Sequence, residues 1–334
     1  MSFDFEEKRL EEEVKKRKPN VVLLQLPEGL KPEAPRLASI VENAGALPII
    51  SSDPCYGACD LALSEAKLLG ADLIVHFGHS PMVFDTDVPA VYIEVKTSIS
   101  IKEAITKALP YLESWNKIGL VTTVQHVDQL EAAKSLLESA GKTVFVGDEG
   151  YVKYSGQILG CDFRNAQSVS ENVDAFVFVG GGRFHAIGLA LATGKSTVIV
   201  DPYEQIAYSV DEQVRRVLMQ RWANISEAKK AKSFGVLISL KSGQMRLKEA
   251  IQLKEKLDQK GLAAVLFAAR EITPRALMQF PRIDAFVNTA CPRLSLDDAP
   301  NFGKPILSIN ELLVMLGELK WEDLLKKGWF GNAT

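Results

Sequence analysis

Apolar and polar positions along the chain follow one order of segments that recurs three times. Each copy opens with an apolar run rich in β-branched residues and continues with an amphipathic segment that ends in a glycine. The runs cover residues 21–26, 118–123 and 234–239, and the glycines are Gly45, Gly141 and Gly261. Continuous apolar runs are typical of strands buried on both faces, and a terminal glycine suits the left-handed residue that follows a helix. We therefore predict a strand and then a helix at the start of each copy.

Three further strand-like runs complete each copy. The second runs cover residues 47–50, 143–146 and 263–267, the third start after Asp72, Asp174 and Asp284, and the fourth cover 90–95, 197–200 and 305–308. Strands that alternate with helices in this way are typical of parallel sheets. The pattern predicts three repeated α/β domains, each with a small, mainly parallel four-stranded sheet flanked by helices. We call them unit one (1–115), unit two (116–231) and unit three (232–334).

The two ends of the chain carry further helical patterns. Residues 5–18 are rich in charges spaced for i,i+4 pairs, which predicts a solvated leading helix. The segment 312–330 has an amphipathic pattern with a lysine-rich end, and we expect one closing helix there.

The cysteines occupy related places in these units. Cys59 and Cys161 each lie 13 residues before the aspartate that precedes the third strand. In unit three the same offset falls on Glu271, and the cysteine is instead Cys291, in the loop after the third strand. Both kinds of loop leave the carboxyl edge of a parallel sheet, where α/β proteins bind ligands. If the units pack around a pseudo-threefold axis with these edges inward, the three thiols converge on one central site.

Three converging thiolates favour an iron–sulfur cluster, with a zinc site and simple burial as the alternatives. Thiolates select iron–sulfur clusters, zinc or copper(I). A zinc site made only of cysteines normally has Cys-x-x-Cys pairs, whereas three residues separate Cys55 from Cys59 and no second pair follows. Free cysteines are also often small buried hydrophobic residues. The equivalent placement of Cys59 and Cys161 favours one iron–sulfur cluster, and Cys55 is interpreted as a bystander, with a fourth ligand or a resolving thiol as alternatives.

The composition narrows the possible functions. The chain has 334 residues with a formal net charge of −3, 47% hydrophobic and 24% charged residues. Such values are typical of globular proteins and provide no basic footprint for nucleic acid. The apolar runs are too short to span a membrane, and the charged amino terminus does not resemble a secretory signal. Four widely spaced cysteines make no disulfide framework, so we expect a reducing, cytoplasmic compartment.

Three cysteine motifs resemble those of the archaeal diphthamide synthase radical enzymes, the 2-(3-amino-3-carboxypropyl)histidine synthase family. The motifs are Tyr56-Gly-Ala-Cys-Asp60, Gly156-Gln-Ile-Leu-Gly-Cys161 and Asn288-Thr-Ala-Cys-Pro-Arg293. Any one of them alone is a weak signal, but the three together, in this order and at this spacing, are specific. The resemblance extends over nearly the whole chain and includes the triplicated α/β architecture.

The resemblance implies a 4Fe–4S cluster bound by Cys59, Cys161 and Cys291, with S-adenosylmethionine at the iron that no cysteine binds. It implies that the reduced cluster breaks the bond between the sulfur and the γ-carbon of S-adenosylmethionine. The products are methylthioadenosine and a 3-amino-3-carboxypropyl radical. The radical then adds to the imidazole C2 of a histidine of translation elongation factor 2, the first step of diphthamide biosynthesis. A homodimer and an external electron donor are implied as well.

The chain departs from ordinary radical S-adenosylmethionine enzymes. Those enzymes use a Cys-x-x-x-Cys-x-x-Cys loop, whereas Ala62 stands three residues after Cys59 here. The cofactor does the difficult chemistry in such enzymes, and the protein supplies geometry. Which carbon–sulfur bond breaks therefore depends on how the pocket orients the sulfonium sulfur.

Other residues are candidates for binding the cofactor, and no catalytic residue is assigned beyond the cluster. Gly180-Gly-Gly-Arg-Phe-His185 follows the third strand of unit two and opens a helix. Glycines there allow close approach to a ligand, and free N–H groups attract a carboxylate, so the candidates are Gly180, Gly181, Gly182, Arg183 and His185. A tight strand-to-helix turn accounts for the glycines equally well.

Two more candidates lie near the third cysteine or its equivalent. His79 occupies the place in unit one that Cys291 occupies in unit three, and Arg293 follows Cys291 by two residues. A solvent-exposed or structural role is favoured for His79, with a position facing the same cavity as the alternative. Arg293 is a candidate for stabilising the negative charge of the cluster or a carboxylate.

Two other functions fit part of this pattern. One is an iron–sulfur partner or electron-transfer subunit without its own transferase chemistry. The other is a three-domain protein that binds a small molecule and has incidental thiols, because a fold does not determine a function. Formation of methylthioadenosine distinguishes the transferase from both, and bound iron distinguishes the iron–sulfur subunit from the small-molecule binder.

Overall fold

The computed structural model describes residues 3–83, 86–148, 150 and 152–330, and these residues form 15 strands and 13 α-helices, with short 3₁₀ helices between them. The strands in the range of unit one are β1 Phe3–Asp4, β2 Val21–Gln25, β3 Leu47–Ile50, β4 Leu73–Phe77, β5 Ala90–Ile93 and β6 Lys96–Thr97. The helices there are α1 Glu7–Arg17, α2 Ala34–Asn43, α3 Leu63–Leu69 and α4 Lys102–Ala108. The predicted leading helix is therefore confirmed as α1.

The other two ranges repeat this order of elements. Unit two contains β7 Lys117–Thr122, α5 Leu130–Ser139, β8 Thr143–Phe145, α6 Arg164–Gln167, β9 Ala175–Val179, α7 Phe184–Thr193, β10 Ser196–Asp201, β11 Ile206–Ser209 and α8 Asp211–Ala228. Unit three contains β12 Ser233–Ser239, α9 Leu247–Gln259, β13 Ala263–Ala269, α10 Pro274–Leu277, β14 Ala285–Asn288, α11 Arg293–Leu296, β15 Ile306–Ser308, α12 Ile309–Met315 and α13 Trp321–Lys327.

Each unit contains a parallel sheet with the same strand order, and the predicted fold class is confirmed. The orders are β3-β2-β4-β5, β8-β7-β9-β10 and β13-β12-β14-β15, with every pair parallel. The second sheet has a fifth strand, because β11 pairs antiparallel with β10 at its edge. The sequence pattern did not predict this short strand. The predicted carboxyl-edge loops follow β3, β8 and β14.

The first long helix of each unit buries residues at the same spacing. The buried positions are i, i+3 and i+7 in α2 (Ala34, Leu37, Val41), α5 (Leu130, Ala133, Leu137) and α9 (Ala250, Leu253, Leu257). This spacing places the three side chains on one face, toward the sheet. Glycines with positive φ follow these helices, as predicted: Gly45, Gly141 and Gly261.

The aspartate before each third strand has a shared structural role. One carboxylate oxygen accepts hydrogen bonds from two successive backbone N–H groups at the start of the neighbouring first strand. The three carboxylates are Asp72, Asp174 and Asp284. These backbone hydrogen bonds lower the pKa of all three carboxyls. The repeated aspartates therefore join neighbouring strands at the amino edge of each sheet.

The closing segment differs from its prediction. The expected single helix over 312–330 is wrong, because α12 ends at Met315 and α13 begins at Trp321. Gly317 lies between them with φ of +76°, a left-handed conformation that ends a helix readily. Trp329, just after α13, is buried and donates its indole N–H to Glu311.

Packing crosses the predicted domain boundaries at several places. Helix α4 contacts β10 and β11 of the second sheet, and α8 contacts β15 and α12 of unit three. Inside that second contact, Arg221 of α8 forms a fully buried ion pair with Glu311, at 2.6 Å. The boundaries after residues 115 and 231 stay a prediction. None of the helices in the described ranges combines the length and hydropathy that crossing a bilayer requires.

Candidate metal centre

The three motif cysteines lie in loops at the carboxyl edges of the three sheets. Cys59 is the central residue of a short 3₁₀ turn, Ala58–Asp60, between β3 and α3. Cys161 lies between β8 and α6, and Cys291 lies in the short loop between β14 and α11. All three are free thiols with partly exposed side chains.

The thiols are close enough to influence one another's protonation. Burial, followed by the charges of Cys59 and Cys291, raises the pKa of Cys161 to about 12. Burial also raises the pKa of Cys291 to about 11, with Cys59 as a further contributor. Burial is the largest cause of the raised pKa of Cys59. The three groups are therefore protonated at neutral pH without a cation, and metal binding would release their protons.

The three motif cysteines form a donor set made only of thiols. A zinc ion holds tetrahedral thiolates about 3.8 Å apart, since each Zn–S bond is about 2.3 Å. Among the described residues, one set of three metal-type donors lies within 4.8 Å of one another, and it is Cys55, His76 and His79. The motif cysteines are not in that set, and three thiolates from separate loops match the ligands of an iron–sulfur cluster.

Cys59 is held in place by a loop of unit three. We call residues 240–246, between β12 and α9, the clamp loop. The backbone N–H of Gly243 donates to the carbonyl oxygen of Cys59 at 2.8 Å, and the Nε2 of Gln244 donates to its Sγ at 3.2 Å. A Cβ on Gly243 would lie 2.6 Å from the Cα of Cys59, so a larger residue does not fit without movement.

A buried ion network supports the clamp loop. The Nζ of Lys241 lies 2.9 Å from Asp60 of unit one and 2.8 Å from Glu271 of unit three. The same ammonium lies over the ring of Tyr56, 4.1 Å from its centroid. The side chains of Lys241 and Asp60 are 6% and 3% exposed, so both charges depend on this pairing. Hydrogen bonds with Glu271 and Asp60 outweigh the effect of burial and raise the pKa of Lys241.

The surroundings of Cys291 come from units two and three. Asn288 donates its side-chain N–H to the carbonyl oxygen of Cys291 at 2.8 Å, which holds the loop after β14. The guanidinium of Arg293 lies 5.0 Å from the ring centroid of Phe184, the first residue of α7. Arg293 therefore lies where the third thiol loop meets the start of α7.

The glycine-rich segment of unit two forms the turn between β9 and α7. Gly180 and Gly182 have φ of +155° and +78°, and a Cβ on Gly181 would lie 3.0 Å from the ring of Tyr203. The turn thus requires small residues for structural reasons, whether or not it also approaches a ligand. The guanidinium of Arg183 lies 5.7 Å from the ring centroid of Tyr208, on β11.

His185 and His79 lie near each other and near Arg293. The ring of His185 stacks on Phe178 with 5.9 Å between centroids. Burial, followed by the charges of Arg293 and His79, lowers the pKa of His185 to about 4. The structure therefore brings His79, His185 and Arg293 together from three units. The assignment of these residues and of Gly180, Gly181, Gly182 and Arg183 to a cofactor stays a prediction.

A buried hydrogen-bond chain determines the tautomer of His79. Gln25 donates its Nε2–H to the carbonyl of Asp60 and accepts from the N–H of Ala62, so its Oε1 faces the Nδ1 of His76 at 2.8 Å. His76 therefore carries its proton on Nδ1 and accepts at Nε2 from the Nδ1–H of His79, at 2.9 Å. His79 is left with Nε2 as its acceptor. Burial lowers the pKa of His79 to about 4 and that of His76 well below its usual value.

His76 and His79 are hydrogen-bonded to each other at a shorter distance than two imidazole ligands of one zinc ion would have. Tetrahedral zinc holds two imidazole nitrogens about 3.3 Å apart, since each Zn–N bond is about 2.0–2.1 Å. The two ring nitrogens here are 2.9 Å apart and share a proton. Burial raises the pKa of Cys55 to about 12, the same value as that of Cys161.

A cavity of about 270 Å³ opens beside the third thiol. Its lining includes Tyr56, Lys241, Gln244, Glu271, Cys291 and Arg293. It therefore joins the clamp loop to the loop after β14. A larger groove of about 550 Å³ runs beside Lys96 and Asp128, and the described residues that line it include no cysteine.

The sequence pattern did not single out the clamp loop. Lys241, Gly243 and Gln244 follow the first strand of unit three, in the place that Pro27, Glu28 and Gly29 occupy in unit one. The sequence shows that these residues follow a strand at the carboxyl edge of a sheet, but the same is true of every loop at such an edge. The contact with Cys59 joins residues more than 180 positions apart, which no local pattern reveals.

Comparison with known proteins decides the family. A sequence profile described as "Putative diphthamide synthesis protein" matches residues 26–325. The chain belongs to this family. The 2-(3-amino-3-carboxypropyl)histidine synthase of Pyrococcus horikoshii is 37% identical over 309 residues, which cover 91% of this chain and 89% of that protein. Subunit 1 of the synthase of Homo sapiens is 30% identical over 319 residues, covering 94% of this chain and 72% of that protein.

A solved structure shares the whole fold. The crystal structure of Dph2 from Pyrococcus horikoshii with 4Fe-4S cluster has a TM-score of 0.88 at 35% identity, covering 96% of this chain and 93% of that chain. The family resemblance carried by the three cysteine motifs is therefore confirmed for this diphthamide synthesis protein.

Proposed function

We propose that this chain is a 2-(3-amino-3-carboxypropyl)histidine synthase that binds a 4Fe–4S cluster through Cys59, Cys161 and Cys291. The observation that carries the proposal is the convergence of three thiols, one from each unit, close enough for their charges to interact. Three cysteines leave one iron of such a cluster free for a co-substrate. The reduced cluster would supply the electron that breaks the bond between the sulfur and the γ-carbon of S-adenosylmethionine.

The reaction transfers the 3-amino-3-carboxypropyl group to the imidazole C2 of a histidine on translation elongation factor 2. Methylthioadenosine leaves, a C–C bond forms at C2, and the proton of C2 is lost. The electron that entered at bond cleavage is returned when the aromatic ring is restored. This would be the first step of diphthamide biosynthesis. It requires an external electron donor and a reducing cytoplasmic compartment, and we expect a homodimer.

The residues around the thiols can hold the two ends of S-adenosylmethionine. The cavity beside Cys291 contains Arg293, whose guanidinium is a partner for a carboxylate, and Glu271, which is a partner for an ammonium or a ribose hydroxyl. Gly180, Gly181, Gly182, Arg183 and His185 remain candidates on the side of unit two. Orientation by these groups would decide which carbon–sulfur bond faces the free iron.

We further propose His79 as the group that accepts the proton that leaves C2. Its ring is neutral, and the chain through His76 and Gln25 leaves the lone pair of its Nε2 available. A neutral imidazole with an available lone pair can act as a general base.

The test uses protein purified without oxygen. Iron and sulfide are quantified, and absorbance is recorded at about 400 nm, where thiolate-bound clusters absorb. We expect each of Cys59→Ala, Cys161→Ala and Cys291→Ala to lose the cluster and Cys55→Ala to retain it. Methylthioadenosine is then measured after reduction with dithionite in the presence of S-adenosylmethionine and elongation factor 2.

Each outcome has a clear meaning. A wild type that binds no iron even after reconstitution would sink the proposal. A cluster-loaded protein that forms no methylthioadenosine would instead support an iron–sulfur partner or electron-transfer subunit.

A further inference from the structure

The clamp loop does more than position the backbone of Cys59, because one of its side chains contacts the sulfur itself. The Nε2 of Gln244 lies 3.2 Å from the Sγ of Cys59, a short distance for an N–H···S hydrogen bond. The backbone of the neighbouring Gly243 donates to the carbonyl of the same cysteine. The contact is therefore held at two points.

A second hydrogen bond determines which end of the Gln244 amide faces the sulfur. The hydroxyl of Ser239 donates to the Oε1 of Gln244 at 3.3 Å, while it accepts from the backbone N–H of Lys241 at 3.2 Å. Ser239 is the last residue of β12 and is 1% exposed. The amide N–H, and not its carbonyl, is thus directed at the thiol by a buried residue on a rigid strand.

From this geometry we propose that Gln244 raises the reduction potential of the cluster by donating a hydrogen bond to the thiolate of Cys59. The proposal rests on the proposed function, since it requires a cluster on Cys59. Hydrogen bonds to the sulfur ligands are one of the factors that set the potential of iron–sulfur clusters. Gln244 thus adjusts the reduction potential at which the cluster takes up the electron that the reaction needs.

The direction follows from charge. Reduction adds one negative charge to a cluster that three thiolates already make negative. The positive end of an N–H dipole stabilises the reduced state more than the oxidised state, so the donor raises the potential. Unit three therefore contributes a ligand through Cys291 and also controls the electronic environment of a ligand in unit one.

The test measures the midpoint potential of the cluster-loaded enzyme by an anaerobic redox titration followed by electron paramagnetic resonance. Gln244→Met keeps the length of the side chain and removes the donor. We expect its reduction equilibrium to be about tenfold less favourable, which is about 59 mV for one electron. Gln244→Glu places a carboxylate beside the thiolate and is expected to lower the potential further.

The matched control is Ser242→Ala in the same loop. The hydroxyl of Ser242 donates to the carbonyl of Leu61 at 3.3 Å and not to the sulfur. This variant is expected to keep the wild-type potential and the wild-type iron content, which separates tuning by the amide from a general effect of the loop.

The outcomes separate this inference from the proposed function. A wild type without a cluster overturns the proposed function. A loaded Gln244→Met enzyme with the wild-type potential overturns only the role of Gln244. If Gln244→Met fails to hold iron, Ser239→Ala provides the decision, because it releases the amide without removing it; an unchanged potential there also overturns the inference.

Discussion

The sheets of units one and three have the same strand order, but the thiol lies in different loops of the two units. After the second strand, unit one has Cys59, whereas unit three has Glu271. After the third strand, unit one has His79, whereas unit three has Cys291. The thiol has thus changed loops between units, although both loops lie at the carboxyl edge of a parallel sheet.

The residue that replaces each thiol supports the centre in another way. Glu271 pairs with Lys241, and Lys241 holds Asp60, the residue after Cys59. His79 ends a hydrogen-bond chain that begins at Gln25 and passes through His76. The comparison teaches that one carboxyl-edge loop of each of these units carries the thiol, and that the other takes part in an ion pair or a hydrogen-bond chain.

The largest expected effect comes from separating unit three from the thiol of unit one. In Gly243→Ala the new Cβ meets the Cα of Cys59, and the clamp loop must move away. We expect the protein to fold but to lose most of its iron, measured per chain after anaerobic reconstitution. Gly303→Ala is the control, because a Cβ there meets nothing within 4 Å. Equal iron in both variants would contradict the role of the close approach.

The second-largest effect is expected from removing Lys241, which forms ion pairs with both Asp60 and Glu271. Lys241→Met leaves Asp60 buried without its cation, and we expect a loss of about 3 kcal/mol in the free energy of unfolding at pH 7. Urea denaturation measures it. Lys260→Met, which removes an exposed lysine 3.9 Å from Glu318, should change stability little. A Lys241→Met protein as stable as the wild type would refute a structural role for the network.

The histidine pair of unit one, His76 and His79, predicts that the stability of the protein depends on pH. His79 has a pKa of about 4 in the folded chain, against about 6.5 unfolded. Unfolding therefore takes up a proton between these pH values, so stability is lost as pH falls from about 6.5 to about 4. His79→Gln should reduce this slope by up to about 1.4 kcal/mol per pH unit, measured by urea denaturation at pH 7 and 5.

Asn288 tests the specificity of that slope. It occupies the place in unit three that His76 occupies in unit one, and it does not titrate. Asn288→Ala should therefore destabilise the protein equally at pH 7 and pH 5. A His79→Gln variant with the wild-type slope would show that His79 is already charged in the folded state.

The smallest expected effect concerns Glu271, which has the place in unit three that Cys59 has in unit one. Glu271 is 38% exposed on its side chain, so solvent weakens its pairing with Lys241. We expect Glu271→Gln to cost at most about 1 kcal/mol of unfolding free energy and to leave the iron content unchanged. Loss of iron in this variant would mean that Glu271 acts on the cluster site more directly than through Lys241.

Much of the fold could be predicted from local patterns, and the failures have local causes. Every strand of the three parallel sheets was expected, because a run buried on both faces leaves an apolar signature. The strand β11 was missed, since four residues at a sheet edge need no such signature. The closing helix was predicted too long, because its amphipathic pattern continues across Gly317 while the backbone does not.

The thiols of the candidate site could be predicted from the sequence, but the residues that hold them in place could not. Cys59, Cys161 and Cys291 could be singled out because each lies in a loop that leaves the carboxyl edge of a predicted sheet. Gln244, Gly243 and Lys241 could not, since their partners lie in another unit and their own segment has no distinctive pattern. The tautomer of His79 likewise depends on the carbonyl of Asp60, which orients Gln25 from outside the β4 segment.

The amino-acid sequence alone determined the three units, their strands and the position of each thiol at a sheet edge. These features depend on hydrophobic periodicity and on residues close together in the chain, and both are present in the sequence as printed. Only the tertiary structure decided which loop covers Cys59, which amide faces its sulfur and which nitrogen of His79 is free. Those choices depend on contacts between distant residues that must fit within a few tenths of an ångström, and such contacts exist only after the units have packed.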